Sequence, residues 1–318
     1  MATPVTKDRR VGTRVGKYLL ESIIGLGGMA TVYAVADDRG ARFAMKVLHR
    51  PLTADDVAVA RFFEEAYLAN SVKHPGVCVV VDDGVSEADR CPYLVMELLA
   101  GQTLEDRLAE EGCLTIGESL DIAIALADTL SQVHGAGIVH RDLKPPNVFL
   151  TAAGVKLLDF GVGKSRAIAM KTAAGSLLGT PAYMAPEQAQ GASVVDGRAD
   201  VFSLGAVLFQ CLVGERVHEG QDDYSAWFAA ATQPARSLAL LAPEAPPDLV
   251  NLVDKALTYD REHRWPTAGE LRAEALRVRA ALSDEQAQSH SRGRTARDSS
   301  FYRMLDELLV PSMREPKA

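Results

Sequence analysis

In the pattern of apolar and polar positions, Tyr18 to Ile24 reads as a strand. It enters the glycine-rich stretch Gly25-Leu26-Gly27-Gly28-Met29-Ala30-Thr31-Val32-Tyr33, and Arg42 to Leu48 then ends a second hairpin. Thr53-Ala54-Asp55-Asp56 is a capping-box-like start for a helix, with Val57, Ala60, Phe62, Ala66, Leu68 and Ala69 as its expected buried face. Val77–Val85 and Pro92–Leu98 are two further strands, joined by a polar turn at Glu87–Arg90. After Gly101 the period changes from two to that of helices. Thr103 to Asp106 starts a short helix that Gly112 ends, and Thr115–Glu118 caps a long one running through Leu120, Ile124 and Leu130 to Gly135. Further helices are expected over Tyr224–Ala231, Asp248–Leu257 and from Thr267–Glu270 to Leu282.

The ends differ from this body. Residues 1–14 are polar and read as a flexible extension, and residues 283–300, rich in Ser, Arg and Gln, read as a linker. In the tail, 301–318, Phe301, Met304, Leu305, Leu308 and Leu309 recur at helical spacing and Pro311 closes the pattern. Such a short amphipathic helix either docks on its own domain or serves a partner or a homodimer.

Composition narrows the function classes. The 318 residues are 47% hydrophobic and 24% charged, as in ordinary globular proteins, and leave ample room for a core. A net charge of −8 argues against nucleic acid as a partner, because a phosphate backbone selects basic surfaces. Cys78, Cys91, Cys113 and Cys211 are widely spaced, which excludes a C-x-x-C zinc cluster and points to reduced thiols in a cytoplasmic setting. Met1 to Lys17 has no apolar core for a signal peptide, and Met1-Ala2 lacks the glycine for myristoylation. The most apolar runs, Ile122–Val133 and Val201–Val213, fall short of the ~20 residues of a membrane span, so a soluble protein is expected.

The candidate chemistry lies in Val139-His140-Arg141-Asp142-Leu143-Lys144-Pro145-Pro146-Asn147-Val148-Phe149-Leu150. Asp142 suits proton acceptance from an attacking hydroxyl, Lys144 charge neutralisation, and Asn147 a metal ion through its amide oxygen. Leu157-Leu158-Asp159-Phe160-Gly161 delivers a second carboxylate from the end of an apolar run. Together these residues suit metal-assisted phosphoryl transfer. By itself the glycine-rich turn is equally a plain hairpin or a nucleotide loop, and Lys46 alone is better read as a solvated edge-strand lysine.

With these motifs in this order, the chain resembles the bacterial eukaryotic-like (Hanks-type) Ser/Thr protein kinases over residues 15–282. The resemblance implies an α+β, two-lobed fold: a small antiparallel β-sheet N-lobe (15–99) with one main helix, and a larger, mainly α-helical C-lobe (100–282). It implies ATP with Mg2+ (or Mn2+) as cofactors and protein substrates. Ile24, Gly25, Gly27, Gly28, Ala30, Val32, Ala44 and Phe149 would then line the nucleotide, with backbone groups of Glu97 and Leu99 on the adenine edge. Lys46 would bind the phosphates and pair with Glu65 rather than the adjacent Glu64, which lies about 100° away around the helix. Asp142 and Lys144 would be catalytic, and Asn147 and Asp159 the metal ligands. Arg141 would hold a phosphate on Thr172 or Ser176, while Thr180 would contact Asp142 and Lys144. Glu187 and Arg264 would form a buried pair, and Asp200 would anchor the catalytic loop. Two positions depart from the family pattern: Ala30 stands where a third glycine is common, and Pro146 where Glu is common. A catalytically silent scaffold is disfavoured, since Lys46, Asp142, Asn147 and Asp159 are all present.

Overall fold

A computed structural model describes residues 8–160, 181–218 and 222–283. The first lobe is a six-stranded antiparallel sheet in the order β1-β2-β3-β4-β6-β5. Its strands are β1 (Arg14–Val15), β2 (Tyr18–Leu26), β3 (Ala30–Ala36), β4 (Arg42–Leu48), β5 (Val80–Val85) and β6 (Pro92–Glu97). Helix α1 (Asp56–Ser71) is inserted between β4 and β5 and covers one face. There Phe62 and Ala66 pack on Ala30, Leu48 and Leu94, while Tyr33, Met45, Val47 and Val95 build a separate core on the opposite face.

Two expectations are corrected here. The buried face of α1 is Ala58, Phe62, Ala66 and Ala69, and Val57 is 56% exposed, with Ala60 also exposed. Asp55 accepts hydrogen bonds from the N–H groups of Val57 and Ala58 and so caps the helix, with Val57 in its exposed first turn. Residues 8–13, expected to be flexible, instead close on the sheet. Tyr33 donates to Asp8 (2.5 Å), Arg10 Nη2 reaches Asp89 (2.6 Å), and Gly12 N–H donates to Leu20 O (2.8 Å). Burial and the bond to Asp8 push the Tyr33 phenol up to about 12.

The second lobe is mainly helical: α2 (Leu104–Glu111), α3 (Ile116–Gly135), α4 (Pro186–Ala189), α5 (Arg198–Val213), α6 (Asp223–Thr232), α7 (Leu238–Leu241), α8 (Pro247–Ala256) and α9 (268–283). The continuous apolar run at Val201 becomes α5, buried on nearly every face at the centre of the lobe, with α3, α8 and α9 packed around it. Among the described residues no helix is long and apolar enough to cross a membrane.

A three-stranded sheet, β7 (Gly101–Thr103), β8 (Val148–Thr151) and β9 (Gly154–Leu157), lies where the chain passes between lobes. Gly101 has φ 144°, and a Cβ there would stand 1.9 Å from Leu150 O, so only glycine lets the chain pass this closely to β8.

His218, 4% exposed, follows α5, and its Nε2 has no hydrogen-bond partner among the described residues. Burial and the neighbouring Arg236 guanidinium push its pKa down to about 4. The unfolded chain therefore binds more protons between that value and the ordinary histidine range, and stability falls as pH is lowered through this window. His218→Phe is expected to remove this term. In thermal unfolding, its stability gain over wild type should be constant above the histidine range and grow by about 1.4 kcal/mol per pH unit below it. A gain that does not change with pH would show that His218 is not the titrating group.

Candidate active site

The cleft between the lobes collects the chemistry. Across β2, β3 and β4 the register sets Gly25 opposite Val32 and Val32 opposite Lys46, with Ala44 opposite Met96 on β6. Paired residues share a face, so Val32, Ala44 and Lys46 stand together. Gly27 N–H donates to Ala30 O (2.9 Å) and closes the turn, and Ile24 remains half exposed above it. At the far side of the cleft the Phe149 ring edge lies 3.3 Å from the position a Gly101 Cβ would take. Glu97 ends β6, and Leu99 follows in the connection between lobes.

Lys46 Nζ lies 2.7 Å from Glu65 Oε1 and 2.9 Å from Asp159 Oδ1, so one ammonium joins α1 to the segment after β9. Glu64, one residue away on α1, is exposed. Burial alone would lower the Lys46 pKa, but the Asp159 and Glu65 carboxylates outweigh it and hold the amine protonated. Burial pushes the Glu65 carboxyl up, and the Asp159 charge adds to this against the pull of Lys46.

The loop through Arg141 and the turn at Asp159 are held in an unfavourable backbone shape. Arg141 has φ 63° and Asp159 φ 48°, both left-handed for a residue with a Cβ. Asp200, fully buried on α5, accepts from the N–H groups of His140 and Arg141, each at 2.8 Å, and from His134 Nε2, also at 2.8 Å. Burial would raise the Asp200 pKa, yet His134 and these donors hold it below the ordinary carboxylate value. Gln188 Nε2 on α4 donates to Arg141 O at 3.2 Å. His140 accepts the Asp142 N–H at Nδ1 (3.3 Å), so Nε2 carries the proton and donates to Leu158 O (3.0 Å). That imidazole ties the loop to the residue before Asp159.

Asn147 Nδ2 donates to Asp142 O (2.8 Å) and Asp142 Oδ2 (2.9 Å), and Lys144 Nζ stands 3.3 Å from the same carboxylate oxygen. Two acceptors on one side fix which end of the Asn147 amide is nitrogen. Oδ1 is then the atom this amide offers to a cation. Asp159 is 44% exposed toward the cleft. These are hard oxygen donors, too few for a complete cage; among the described residues no group of three or more His, Cys, Asp or Glu side chains could hold a metal ion. Such a set suits Mg2+ completed by substrate phosphates.

Glu187 on α4 and Arg264 pair through two bonds of 2.8 Å. Thus Lys46, Glu65, Asp142, Lys144, Asn147 and Asp159 converge on the cleft, while Glu187, Asp200 and Arg264 lie behind it. Thr172, Ser176 and Thr180 fall outside the described residues, as do the linker from 284 and the tail helix. Sequence reasoning read His134 as simply structural and assigned no site role to Gln188 or Lys156. His134 and Asp200 are 66 positions apart, and no local spacing signals that contact.

A protein kinase domain model matches residues 18–275. The chain is 38% identical over 275 residues to the serine/threonine-protein kinase PknB of Mycobacterium tuberculosis, covering 82% of this chain and 43% of the relative. It is 33% identical over 272 residues to a probable serine/threonine-protein kinase PknB of Bifidobacterium longum, covering 82% and 39%. The chain therefore spans about two-fifths of the length of these curated relatives. A crystal structure of the M. tuberculosis PknI kinase domain superposes with a TM-score of 0.68 at 26% identity, covering 85% of this chain and 98% of that one. Two lobes, a lysine bridged between them and these matches lead to one conclusion: the chain belongs to the protein kinase family, in its bacterial eukaryotic-like Ser/Thr branch.

Proposed function

We propose that the protein is an ATP-dependent serine/threonine kinase that transfers the γ-phosphoryl group to Ser and Thr hydroxyls of proteins, its own activation segment included. The observation that carries this reading is Lys46 Nζ held between Glu65 and Asp159, beside the Asp142–Lys144–Asn147 group. Ile24, Gly25, Gly27, Gly28, Ala30 and Val32 cover the nucleotide, and Ala44 and Phe149 enclose its base. Glu97 N–H is already committed to Val79 O (3.1 Å), which leaves the Glu97 carbonyl and the Leu99 backbone for the adenine edge. Lys46 holds the phosphates. Asn147 and Asp159 hold Mg2+ or Mn2+, which when bound supplies charge neutralisation on the phosphates. Asp142 orients the acceptor hydroxyl and takes its proton as the oxygen attacks phosphorus and ADP leaves; Lys144 offsets charge on the transferring group.

Arg141 is the residue to hold a phosphate on Thr172 or Ser176; its buried Nε makes no hydrogen bond among the described residues. Thr180 would close on Asp142 and Lys144. The catalytic unit is residues 15–282, acting on protein substrates in the cytoplasm, with the tail docking on it or on a second copy.

Intact mass and phosphopeptide mapping after incubation with Mg-ATP test this reading against an Asp142→Asn control. Phosphate at Thr172 or Ser176 in wild type alone is the expected result. Phosphate at the same sites in the control would point to a contaminating kinase and sink the autophosphorylation claim.

A further inference from the structure

Behind the cleft the lobes are stitched together by backbone. Leu157 N–H donates to Gly76 O (2.7 Å), Cys78 N–H donates to Leu157 O (3.2 Å), and Val77 bridges Leu157 in parallel. Over this seam lies an ion pair with one member from each lobe. Lys156 Nζ, on β9, stands 2.7 Å from Glu97 Oε1 at the end of β6. The same oxygen accepts the Val79 N–H at 2.9 Å, and Lys156 Nζ donates to Val77 O at 3.4 Å. The pair is partly buried, 19% and 32% exposed. None of these groups belongs to the Lys46–Glu65–Asp159 cluster, yet β9 runs on into Asp159.

Opening the cleft requires residues 76–79 and Glu97 to move against β9, and this shears the seam. A lysine contacting two first-lobe oxygens resists that motion at its pivot. We propose that Lys156 is a positioning residue: it latches the Glu97 carboxylate to β9, limits how far the lobes open, and so sets the rate at which nucleotide leaves. This rests on the nucleotide-binding reading above. The Lys156 ammonium touches neither phosphates nor acceptor; without it, Glu97 Oε1 keeps only the Val79 N–H.

The test follows release of a fluorescent N-methylanthraniloyl-ADP, with Mg2+, on displacement by ATP from wild type, Lys156→Met and Lys156→Arg. Steady-state kinetics with casein as a generic acceptor run alongside. A partly buried pair of this kind is expected to slow release by about three- to tenfold, so Lys156→Met should release ADP faster by that factor and raise KM for ATP without lowering kcat. Lys156→Arg, which keeps the charge, should stay within about twofold of wild type. Lys156→Gln replaces the methionine variant if thermal unfolding shows that variant unstable. Release from the folded, uncharged variant within about twofold of wild type would overturn the latch. Wild type that retains no fluorescent ADP would instead overturn the nucleotide-binding reading itself.

Discussion

Asp142→Asn is expected to lower kcat by about 10²- to 10⁴-fold, the range a positioned general base supplies, with little change in KM for ATP. Asparagine keeps an acceptor oxygen for the Asn147 Nδ2 bond, now 2.9 Å to Asp142 Oδ2, so the loop retains its shape. What is lost is the carboxylate proposed to take the hydroxyl proton, together with the charge facing Lys144 Nζ at 3.3 Å. Steady-state phosphorylation of a serine-containing peptide, with melting temperature as the folding control, checks this. A variant keeping more than about a tenth of wild-type kcat would remove Asp142 from the catalytic role.

The second large effect concerns stability. Every donor direction of the Arg264 guanidinium is used: Nε to Thr258 O (2.7 Å), Nη1 to Glu187 Oε1 (2.8 Å) and Arg198 O (3.0 Å), and Nη2 to Glu187 Oε2 (2.8 Å) and Tyr259 O (3.0 Å). Its side chain is fully buried beside the Phe202 ring. Arg264→Ala leaves the Glu187 carboxylate and three carbonyls buried without this donor. Breaking a buried pair on one side costs about 3–5 kcal/mol, a large share of the roughly 5–15 kcal/mol that holds a domain folded. The melting temperature should fall by roughly 10 °C, and soluble yield with it. Arg277→Ala, at an exposed pair with Glu274 (2.6 Å), should cost under about 1 kcal/mol. Equal losses at the two sites would mean that burial does not govern these pairs. Activity should suffer as well at Arg264, because Glu187 sits on α4 beside Gln188, whose amide holds Arg141 O.

Much of this was legible from local pattern. Short apolar runs bounded by turns marked the strands, and caps marked the helices: Thr103 and Thr115 accept from the N–H groups of Asp106 and Glu118 as their spacing implies. The choice of Glu65 over Glu64 came from the match to the family motif, and Lys46 Nζ lies 2.7 Å from Glu65 Oε1. The pattern erred where two signals competed. Val57 is apolar and follows the cap, yet the face carrying Ala58, Phe62 and Ala66 is the buried one and leaves Val57 in solvent. Residues 8–13 are polar, yet Asp8 and Arg10 find Tyr33 and Asp89 across the sheet, partners that composition does not reveal.

The sequence by itself determined the parts: which residues carry carboxylate, ammonium and amide, the order of strands and helices, and the family to which the motifs belong. The first two follow from short-range rules of period, capping and chemical type, and the family from the resemblance of the motifs. Only the tertiary structure decided how the parts are held. Asp200 gathers His134, His140 and Arg141 because α5 runs through the centre of the lobe beneath the loop. Lys156 meets Glu97 because the backbone bridge between Val77 and Leu157 brings the two lobes to one seam. These contacts join residues separated by 59 to 66 positions, and their strength comes from burial, which no stretch of sequence possesses until the chain has closed around it.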